Sequence, residues 1–242
     1  MKNSVFIWGS KSYALLIDNM IKNQSTNINP NYLKTNKKNL EIKFIFDPYS
    51  KKKGYNLSGS FFNDLKSFKK NIKTCKSYVV CIGNNYGKAR YLVSSFIEKF
   101  GLEPVSLISK HSLIENKAII GKGVVAMPRS FVNVFSKIGD FTILNSNSNV
   151  EHECKIGKGC HIMSGACIGG RSVVGDFTTI GTNATVLPDI KIGNGSYIGA
   201  GSVVTKNVKP NSIIVGVPGQ RVKEHKIKVD KKIFEKIKLL NN

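Results

Sequence analysis

Residues 156–204 contain the sequence IGKGCHIMSGACIGGRSVVGDFTTIGTNATVLPDIKIGNGSYIGAGSVV, in which an aliphatic residue recurs at every sixth position. Counting back toward the N-terminus extends this register without interruption to Ile114 and gives fifteen aliphatic residues and one alanine. The repeat positions are Ile114, Ile120, Ala126, Val132, Ile138, Leu144, Val150, Ile156, Ile162, Ile168, Val174, Ile180, Val186, Ile192, Ile198 and Val204. A glycine often follows directly, and the fourth position after the aliphatic is small or Val everywhere except Ile190.

A period of six fits neither the α-helix nor a regular strand, so it requires short strands joined by turns at fixed intervals. Three hexads make one triangular coil, and the register supplies about five coils. We expect the aliphatic residue to point inward, the glycine to relieve the backbone at the corner, and the small residue to fit the tight interior. Residues 109–242 are therefore predicted to form a rigid, three-sided parallel β-helix with a C-terminal tail.

The first 108 residues predict a separate, Rossmann-like α/β domain with a parallel sheet. Strand-like runs occupy residues 5–9, 41–47 and 77–83, and helix-like runs extend from Ser12 to Lys22, from Phe62 to Asn71 and from Tyr86 to Phe100. The Asn/Lys-rich segment 23–40 is predicted to be a surface loop. After the repeats, GVPGQRV at 216–222 predicts a turn-rich exit, and Asp230 is expected to cap a closing helix from Lys231 to Leu240.

Composition limits the classes of partner. The formal net charge is +22, but only four of the 37 basic residues are arginine, and no stripe of aromatic residues runs between the scattered lysines. We therefore expect no nucleic-acid partner. No apolar run approaches the roughly 20 residues that cross a bilayer, and no leader-like segment opens the sequence, so we expect a cytoplasmic protein without membrane insertion. Five cysteines without a CxxC pair predict no disulfide.

His152 is the first candidate for chemistry. Because Val150 and Cys154 are assigned to the interior, the three residues between them should lie on or near the outer surface of one coil. A neutral imidazole there can accept the proton that an amine or hydroxyl loses on attacking a thioester, and a neighbouring carboxylate can orient it. Either Glu151 or Glu153 can fill that supporting role on sequence grounds.

Gly170 is the second candidate, because it follows His152 by 18 residues and should lie one coil away, about 4.8 Å by strand spacing. Its N–H is placed to meet a developing oxyanion, and the absence of a side chain would let a thioester approach. The alternative is that Gly169 and Gly170 only relieve a corner. A zinc site of the three-histidine type is not expected, because only His152 and His161 lie within the repeats.

Several segments together resemble the PglD/NeuD-like sugar acetyltransferases, which are left-handed β-helix, hexapeptide-repeat acyltransferases. The resemblance covers nearly the whole chain and is carried by IFD at 45–47, CIGNN at 81–85, LISKHSLI at 107–114, NSNSNVEHECKIGKGCHI at 145–162, SGACIGG at 164–170 and GVPGQRV at 216–222. It implies a left-handed coil, a homotrimer with active sites between neighbouring prisms, and acetyl-CoA as co-substrate. The reaction implied is N-acetylation of a nucleotide-linked amino sugar, of the UDP-4-amino sugar type, for surface glycan or glycoprotein biosynthesis.

The resemblance also implies roles for individual residues. His152 matches the general base, Glu153 its supporting carboxylate and Gly170 the oxyanion contact. The implied nucleotide-sugar site of the first domain comprises Gly9, Ser10, Asp47 and Asn84, together with His161 near the acetyl group. Cofactor contacts are expected from His161, Gly170, Gly199 and Arg221.

The sequence departs from the family on the substrate side. The first turn reads GSKSYA at 9–14, where relatives have a glycine-richer loop with a histidine, and Pro48 follows Asp47 where a second acid is common. A different nucleotide or sugar would account for both changes. Two alternatives to the N-acetyltransferase function stay open. One is a sugar O-acetyltransferase that resembles the sialic-acid enzymes, and the other is a trimeric sugar-binding scaffold without catalysis.

Overall fold

The structure is a computed structural model that describes residues 3–22, 40–227 and 229. These residues form two compact units, one comprising 3–22, 40–83 and 89–105, and the other comprising 84–88 and 106–227. Most of the predicted loop 23–40 and the predicted closing helix Lys231–Leu240 lie outside the described residues. Among the helices that the structure describes, none is long and apolar enough to span a membrane.

The first unit alternates strands and helices, as predicted. Its elements are β1 (Asn3–Trp8), α1 (Ser12–Lys22), β2 (Leu40–Phe46), β3 (Ser60–Phe62), α2 (Leu65–Ile72), β4 (Ser77–Val80), α3 (Gly87–Glu98) and β5 (Glu103–Pro104). All strand pairs are parallel, and the order across the sheet is β3-β2-β1-β4-β5. The order reverses between β1 and β4, and the crevice at the carboxyl ends of such a pair is where open α/β sheets bind ligands.

Two short edge strands of this sheet were not predicted. Residues Ser60–Phe62 pair with β2 as β3, so α2 begins three residues later than the predicted start at Phe62. Asp64 caps α2, and its carboxylate accepts a hydrogen bond from the N–H of Ser67 at 2.8 Å. The core against which the sheet packs is aromatic, with the rings of Phe6 and Phe44 stacked at 4.9 Å.

The second unit is a left-handed parallel β-helix built from two-residue strands, as predicted. The strands are β6 (Leu107–Ile108), β7 (Leu113–Ile114), β8 (Ile119–Ile120), β9 (Val125–Ala126), β10 (Phe131–Val132), β11 (Lys137–Ile138), β12 (Ile143–Leu144), β13 (Asn149–Val150), β14 (Lys155–Ile156), β15 (His161–Ile162), β16 (Cys167–Ile168), β17 (Val173–Val174), β18 (Thr179–Ile180), β19 (Thr185–Val186), β20 (Lys191–Ile192), β21 (Tyr197–Ile198) and β22 (Val203–Val204). They form three parallel sheets in which each strand from β6 to β19 pairs with the strand 18 residues further along.

The interior of the prism is the ladder that the sequence register predicts. From Ala126 to Val204 every repeat residue is buried, and only Ile114 and Ile120, in the first coil, are partly exposed. The small residues four positions later are buried too, and their side chains tie successive coils together. The thiol of Cys154, for example, lies 3.2 Å from the carbonyl oxygen of Gly169. Register and burial therefore fix which residues face outward at each corner.

The glycine that follows the aliphatic residue has a different role from the one predicted. The backbone turns at the third position after the aliphatic, which adopts positive φ even where it is not glycine, as in Glu153 (φ 60°) and Phe177 (φ 57°). The glycine directly after the aliphatic is required by close stacking instead. A Cβ on Gly139 would lie 2.6 Å from the carbonyl carbon of Gly157 in the next coil. At Gly139 the coils therefore approach too closely for a side chain, whereas the same repeat position on another corner holds Asn133 and Glu151.

The prism ends in a hairpin. β23 (Ser212–Val215) continues one sheet in parallel, and β24 (Gln220–Glu224) pairs with β23 in the antiparallel direction. The turn between them contains a cis peptide bond between Val217 and Pro218. The predicted turn-rich exit at 216–222 is therefore a turn followed by a strand.

Candidate active site

His152 lies at the corner that follows β13, two residues after the buried Val150. Its side chain is 40% exposed, and its Nδ1 lies 3.0 Å from Oε2 of Glu153. An ionised carboxylate only accepts hydrogen bonds, so the Nδ1 of His152 is the donor in this contact. The other ring nitrogen, Nε2, then carries the lone pair of the neutral imidazole. The corner thus presents a ring nitrogen that can accept a proton, in a tautomer set by the contact with Glu153.

The backbone fixes the position of Glu153. This residue is the left-handed turn residue of the corner, and its N–H donates to the carbonyl oxygen of Val134 at 3.0 Å. The carbonyl of His152 accepts a hydrogen bond from the N–H of Arg171 at 2.9 Å. Hydrogen bonds to both adjacent coils therefore hold the two residues.

Glu151, the other candidate for supporting the base, is engaged elsewhere. Its carboxylate accepts hydrogen bonds from the side-chain amides of Asn133 at 2.9 Å and Asn149 at 3.1 Å. Its main-chain carbonyl accepts a hydrogen bond from the hydroxyl of Ser136 at 2.5 Å. The geometry therefore assigns the contact with His152 to Glu153, and it assigns Glu151 to anchoring the chain just before the histidine.

Gly170 lies directly against the imidazole. A Cβ built on it would fall 2.5 Å from Nε2 of His152 and 2.8 Å from Cε1, so a side chain at this position displaces the ring. The residue is buried and its φ is not in the left-handed region. Glycine is needed here because of the close approach of the histidine, which is a more specific reason than the alternative of corner relief.

The N–H of Gly170 is a donor without an acceptor in the part of the chain that the structure describes. At another corner, the N–H of Lys158 donates to Asp176 at 3.0 Å and that of Asp176 donates to Asn194 at 2.9 Å. In both cases the acceptor is the side chain at the same corner position one coil further on. Pro188 holds that position for Gly170 and has no side-chain acceptor, so this N–H is left available to an oxygen of another molecule.

His161 lies on β15 and is almost completely buried, at 5% exposure. Its neighbours in register are Ile143 and Thr179. Its Nδ1 lies 3.1 Å from the carbonyl oxygen of Asn84, so the structure brings together two residues predicted for the substrate side. A carbonyl accepts, so Nδ1 of His161 is the donor in this contact.

The two remaining cofactor candidates lie near the end of the prism. Gly199 is buried, and a Cβ there would lie 2.9 Å from Cγ1 of Val215. Arg221 is exposed on β24, and its Nε donates to the hydroxyl of Ser212 at 3.1 Å. Close packing explains the glycine, whereas the arginine presents a cationic group beside the last coils. Their contacts with a cofactor stay a prediction.

Three predicted substrate residues of the first unit lie together at the carboxyl ends of β1 and β2, and two of them, Ser10 and Asp47, are buried. Oδ2 of Asp47 accepts hydrogen bonds from the N–H of Ser10 at 3.0 Å and from its hydroxyl at 2.6 Å, while Oδ1 accepts from the N–H of Tyr49 at 3.0 Å. Gly9 has φ 108°, and a Cβ on it would lie 3.0 Å from the carbonyl oxygen of Cys81. The cluster shapes the turn at the point where the sheet reverses its strand order.

Sequence reasoning missed an ion pair beside the base. Arg171 contacts Asp189 with two hydrogen bonds of 2.7 Å, from Nε and from the terminal guanidinium nitrogen Nη2. This pairing lowers the pKa of Asp189 and raises that of Arg171. The signal was present in the sequence, because Glu153, Arg171 and Asp189 follow one another at intervals of 18 residues and alternate in charge.

The thiols of the prism suit packing better than chemistry. Burial raises the pKa of Cys154 to about 11, and burial also raises the pKa of Cys167. Among the described residues, no group of three histidine, cysteine or acidic side chains is arranged to hold a metal ion.

Comparison with known proteins identifies the repeat and the fold. Residues 135–170 and 171–206 match the family described as bacterial transferase hexapeptide (six repeats). No curated protein gives a significant match. The predicted hexapeptide-repeat architecture is thus confirmed.

Solved structures match over nearly the whole chain. A variant of perosamine N-acetyltransferase from Caulobacter crescentus, in complex with CoA and GDP-perosamine, is 20% identical with a TM-score of 0.77 and covers 93% of this chain and 99% of its own. The acetyltransferase domain of PglB from Neisseria gonorrhoeae, in complex with acetyl coenzyme A, is 19% identical with a TM-score of 0.78 over 92% and 100%. WeeI from Acinetobacter baumannii is 24% identical with a TM-score of 0.74 over 90% and 99%. These likenesses establish a shared two-part fold.

Proposed function

We propose that this hexapeptide-repeat acyltransferase moves the acetyl group of acetyl-CoA onto the amino group of a nucleotide-linked amino sugar. The single observation that carries the proposal is the corner where Nδ1 of His152 contacts Glu153 at 3.0 Å while Gly170 lies against the opposite side of the ring. Of the three solved structures described above, two hold CoA or acetyl-CoA, and one of these two also holds GDP-perosamine.

The chemistry follows from the tautomer that the Glu153 contact sets. Nε2 of His152 takes a proton from the amine as its nitrogen attacks the thioester carbon, and the carbon–nitrogen bond forms. The N–H of Gly170 donates to the oxyanion that develops on the former carbonyl. Collapse of this intermediate breaks the carbon–sulfur bond, and the imidazolium returns the proton to the departing thiolate. The carboxylate of Glu153 stabilises the imidazolium between the two transfers.

We assign the remaining predicted contacts by the same reasoning. CoA is held near His161, Gly170, Gly199 and Arg221, where the arginine offers a cation to a phosphate. In the first unit, the nucleotide binds at the carboxyl edge of the sheet, near Gly9, Ser10 and Asp47. In the second unit, we assign Asn84 and His161 to substrate binding. Because the carboxylate of Asp47 already accepts three local hydrogen bonds, we expect groups other than Asp47 to make most of the contacts with the nucleotide. We further propose a homotrimer with active sites between neighbouring prisms.

The experiment incubates the purified protein with labelled acetyl-CoA and UDP-, GDP- and dTDP-linked 4-amino sugars, with the corresponding 4-hydroxy sugars as the paired acceptors. An alkali-stable labelled product from an amino sugar is the expected result. An alkali-labile product formed from the hydroxy sugars alone would make the chain an O-acetyltransferase, and binding of sugar nucleotides without any transfer would make it a scaffold.

The matched variants are His152→Ala and His111→Ala. His111 is an exposed histidine that lies before the repeat register begins, and it is part of neither proposed site. We expect loss of most turnover in the first variant, nearly unchanged CoA affinity in both, and native turnover in the second. Near-native turnover of His152→Ala would overturn the role of the base.

A further inference from the structure

The corner that holds the base carries a column of side chains stacked at intervals of one coil. This column consists of the third residue after the repeat residue in successive coils, and in all five members φ lies between 60° and 67°. The members are Lys117, Phe135, Glu153, Arg171 and Asp189. Because their backbone conformations match, their side chains leave the prism in the same direction. Arg171 therefore stands one coil from Glu153 and one coil from Asp189, with an acid on either side.

Arg171 is paired with only one of these two acids. Its guanidinium makes a bidentate contact with Asp189, with both hydrogen bonds at 2.7 Å. Glu153 instead directs Oε2 to Nδ1 of His152 at 3.0 Å. The paired donors Nε and Nη2 match the carboxylate of Asp189, and this bidentate contact holds the guanidinium toward Asp189.

We infer that Asp189 is a positioning residue, which holds Arg171 away from Glu153 so that the carboxylate of Glu153 stays on His152. This inference rests on the proposed function for its meaning in catalysis, although the competition between the two acids is a property of the folded chain alone. In the described part of the chain, the charged neighbours of His152 include Glu151, Glu153, Arg171 and Asp189, and Glu151 is already bound by two asparagine amides. The competition is therefore confined to Glu153, Arg171 and Asp189.

The inference predicts that removing Asp189 does more harm than removing the whole ion pair. In Asp189→Asn the guanidinium loses its partner and captures Glu153, which deprives His152 of its carboxylate. In the double variant Arg171→Gln/Asp189→Asn the competitor is absent, and Glu153 returns to the histidine. The double variant has the same net charge as the native chain, whereas Asp189→Asn is one unit more positive, so a direct effect of charge on the imidazole needs a separate control.

The test follows protonation of His152 in the substrate-free protein by NMR of its imidazole carbons. The chain has only four histidines, and His152→Gln assigns the signal. We expect the midpoint of the His152 titration to move to lower pH by about half a pH unit in Asp189→Asn, because the imidazolium loses its anion, and to return in the double variant. Measured in parallel, kcat/KM should fall about two- to fivefold in Asp189→Asn and recover in the double variant.

A third comparison separates capture of Glu153 from a direct effect of charge. In a Glu153→Gln background the substitution Asp189→Asn should move the midpoint much less, because no carboxylate is left to capture. An unchanged midpoint in Asp189→Asn, no recovery in the double variant, or an undiminished shift in the Glu153→Gln background would each overturn the inference. Because the titration needs no substrate, its outcome tests the inference even if no sugar acetylation is found.

Discussion

Substitution of Gly170 by alanine tests the geometry of the corner most directly. The added Cβ would lie 2.5 Å from Nε2 of His152, whereas ordinary van der Waals contact begins near 3.4 Å, so the ring must retreat by about 1 Å. A displacement of that size in a catalytic group costs about 100-fold in rate. We therefore expect kcat/KM for acetylation to fall roughly 100-fold.

Stability should respond much less than activity. The φ of Gly170 lies outside the left-handed region, so alanine is compatible with the backbone, and replacing glycine by alanine also restricts the unfolded chain. The imidazole is 40% exposed and can swing outward without disturbing the core. The free energy of unfolding should thus change by less than about 1 kcal/mol. Ala200, at the same position of another corner, shows that the turn accepts a Cβ.

The assay measures release of the CoA thiol, with CoA binding followed by calorimetry and unfolding followed in urea. His152→Ala removes the obstacle, so adding Gly170→Ala to that variant should cause no further loss of activity. Turnover of Gly170→Ala within about threefold of the native value, with CoA bound normally, would refute the juxtaposition of base and amide on which the proposed mechanism depends.

Three further predictions concern single side chains. Glu153→Gln should lower kcat/KM about tenfold with little change in stability, because its carboxylate is exposed and contacts His152. Glu151→Gln should lower the urea midpoint of unfolding as well as kcat/KM, because its carboxylate is bound by asparagine amides. Steady-state kinetics and urea titrations distinguish the two variants. In the native protein at pH 8, Cys154 should react with an alkylating reagent roughly 100-fold more slowly than in the unfolded chain, since its pKa is raised to about 11 by burial; mass spectrometry measures the rates. Burial raises the pKa of Asp18, but the contacts of its carboxylate with Lys22 and Ser58 outweigh burial and leave this pKa lowered. The ionised carboxylate therefore stabilises the fold at pH values above its unfolded pKa. This stabilisation is lost as the pH falls through the lowered pKa of the folded state. Asp18→Asn should therefore cost about 1–3 kcal/mol at pH 7 and much less near pH 3 in urea titrations.

The β-helix could be predicted almost residue by residue because its period is a global constraint. A single inserted residue would turn every later aliphatic side chain outward, so the unbroken register from Ile114 to Val204 defines which positions are interior. Helix α1 was predicted with its observed bounds, because its apolar residues recur at helical spacing and begin directly after the turn at Gly9. The edge strand Ser60–Phe62 was missed because three residues carry no periodicity of their own.

The candidate site could be predicted only to the level of position. The 18-residue spacing places Gly170 beside His152, and the same spacing contains the pairing of Arg171 with Asp189. It does not reveal which of two neighbouring acids contacts the ring, because this depends on side-chain direction at a left-handed corner residue. Nor does it reveal that Asp47 is occupied by Ser10, since those residues come together only when β1 and β2 pair.

Glu151 and Glu153, which flank His152, hold it in place in different ways. Glu151 fixes the main chain, whereas Glu153 fixes the ring. The N–H of Glu151 donates to Ile168 at 3.0 Å, its carbonyl accepts from Ser136, and its carboxylate holds the amides of Asn133 and Asn149. Each of these partners belongs to a strand or corner of the rigid coils, so the Cα of His152 has little freedom to move. Glu153 then fixes the rotation and tautomer of the ring through a single contact that is exposed and therefore easily redirected. The position of His152 is thus insensitive to surface charge, whereas the contact that orients its ring lies beside the guanidinium of Arg171, which Asp189 holds through two hydrogen bonds.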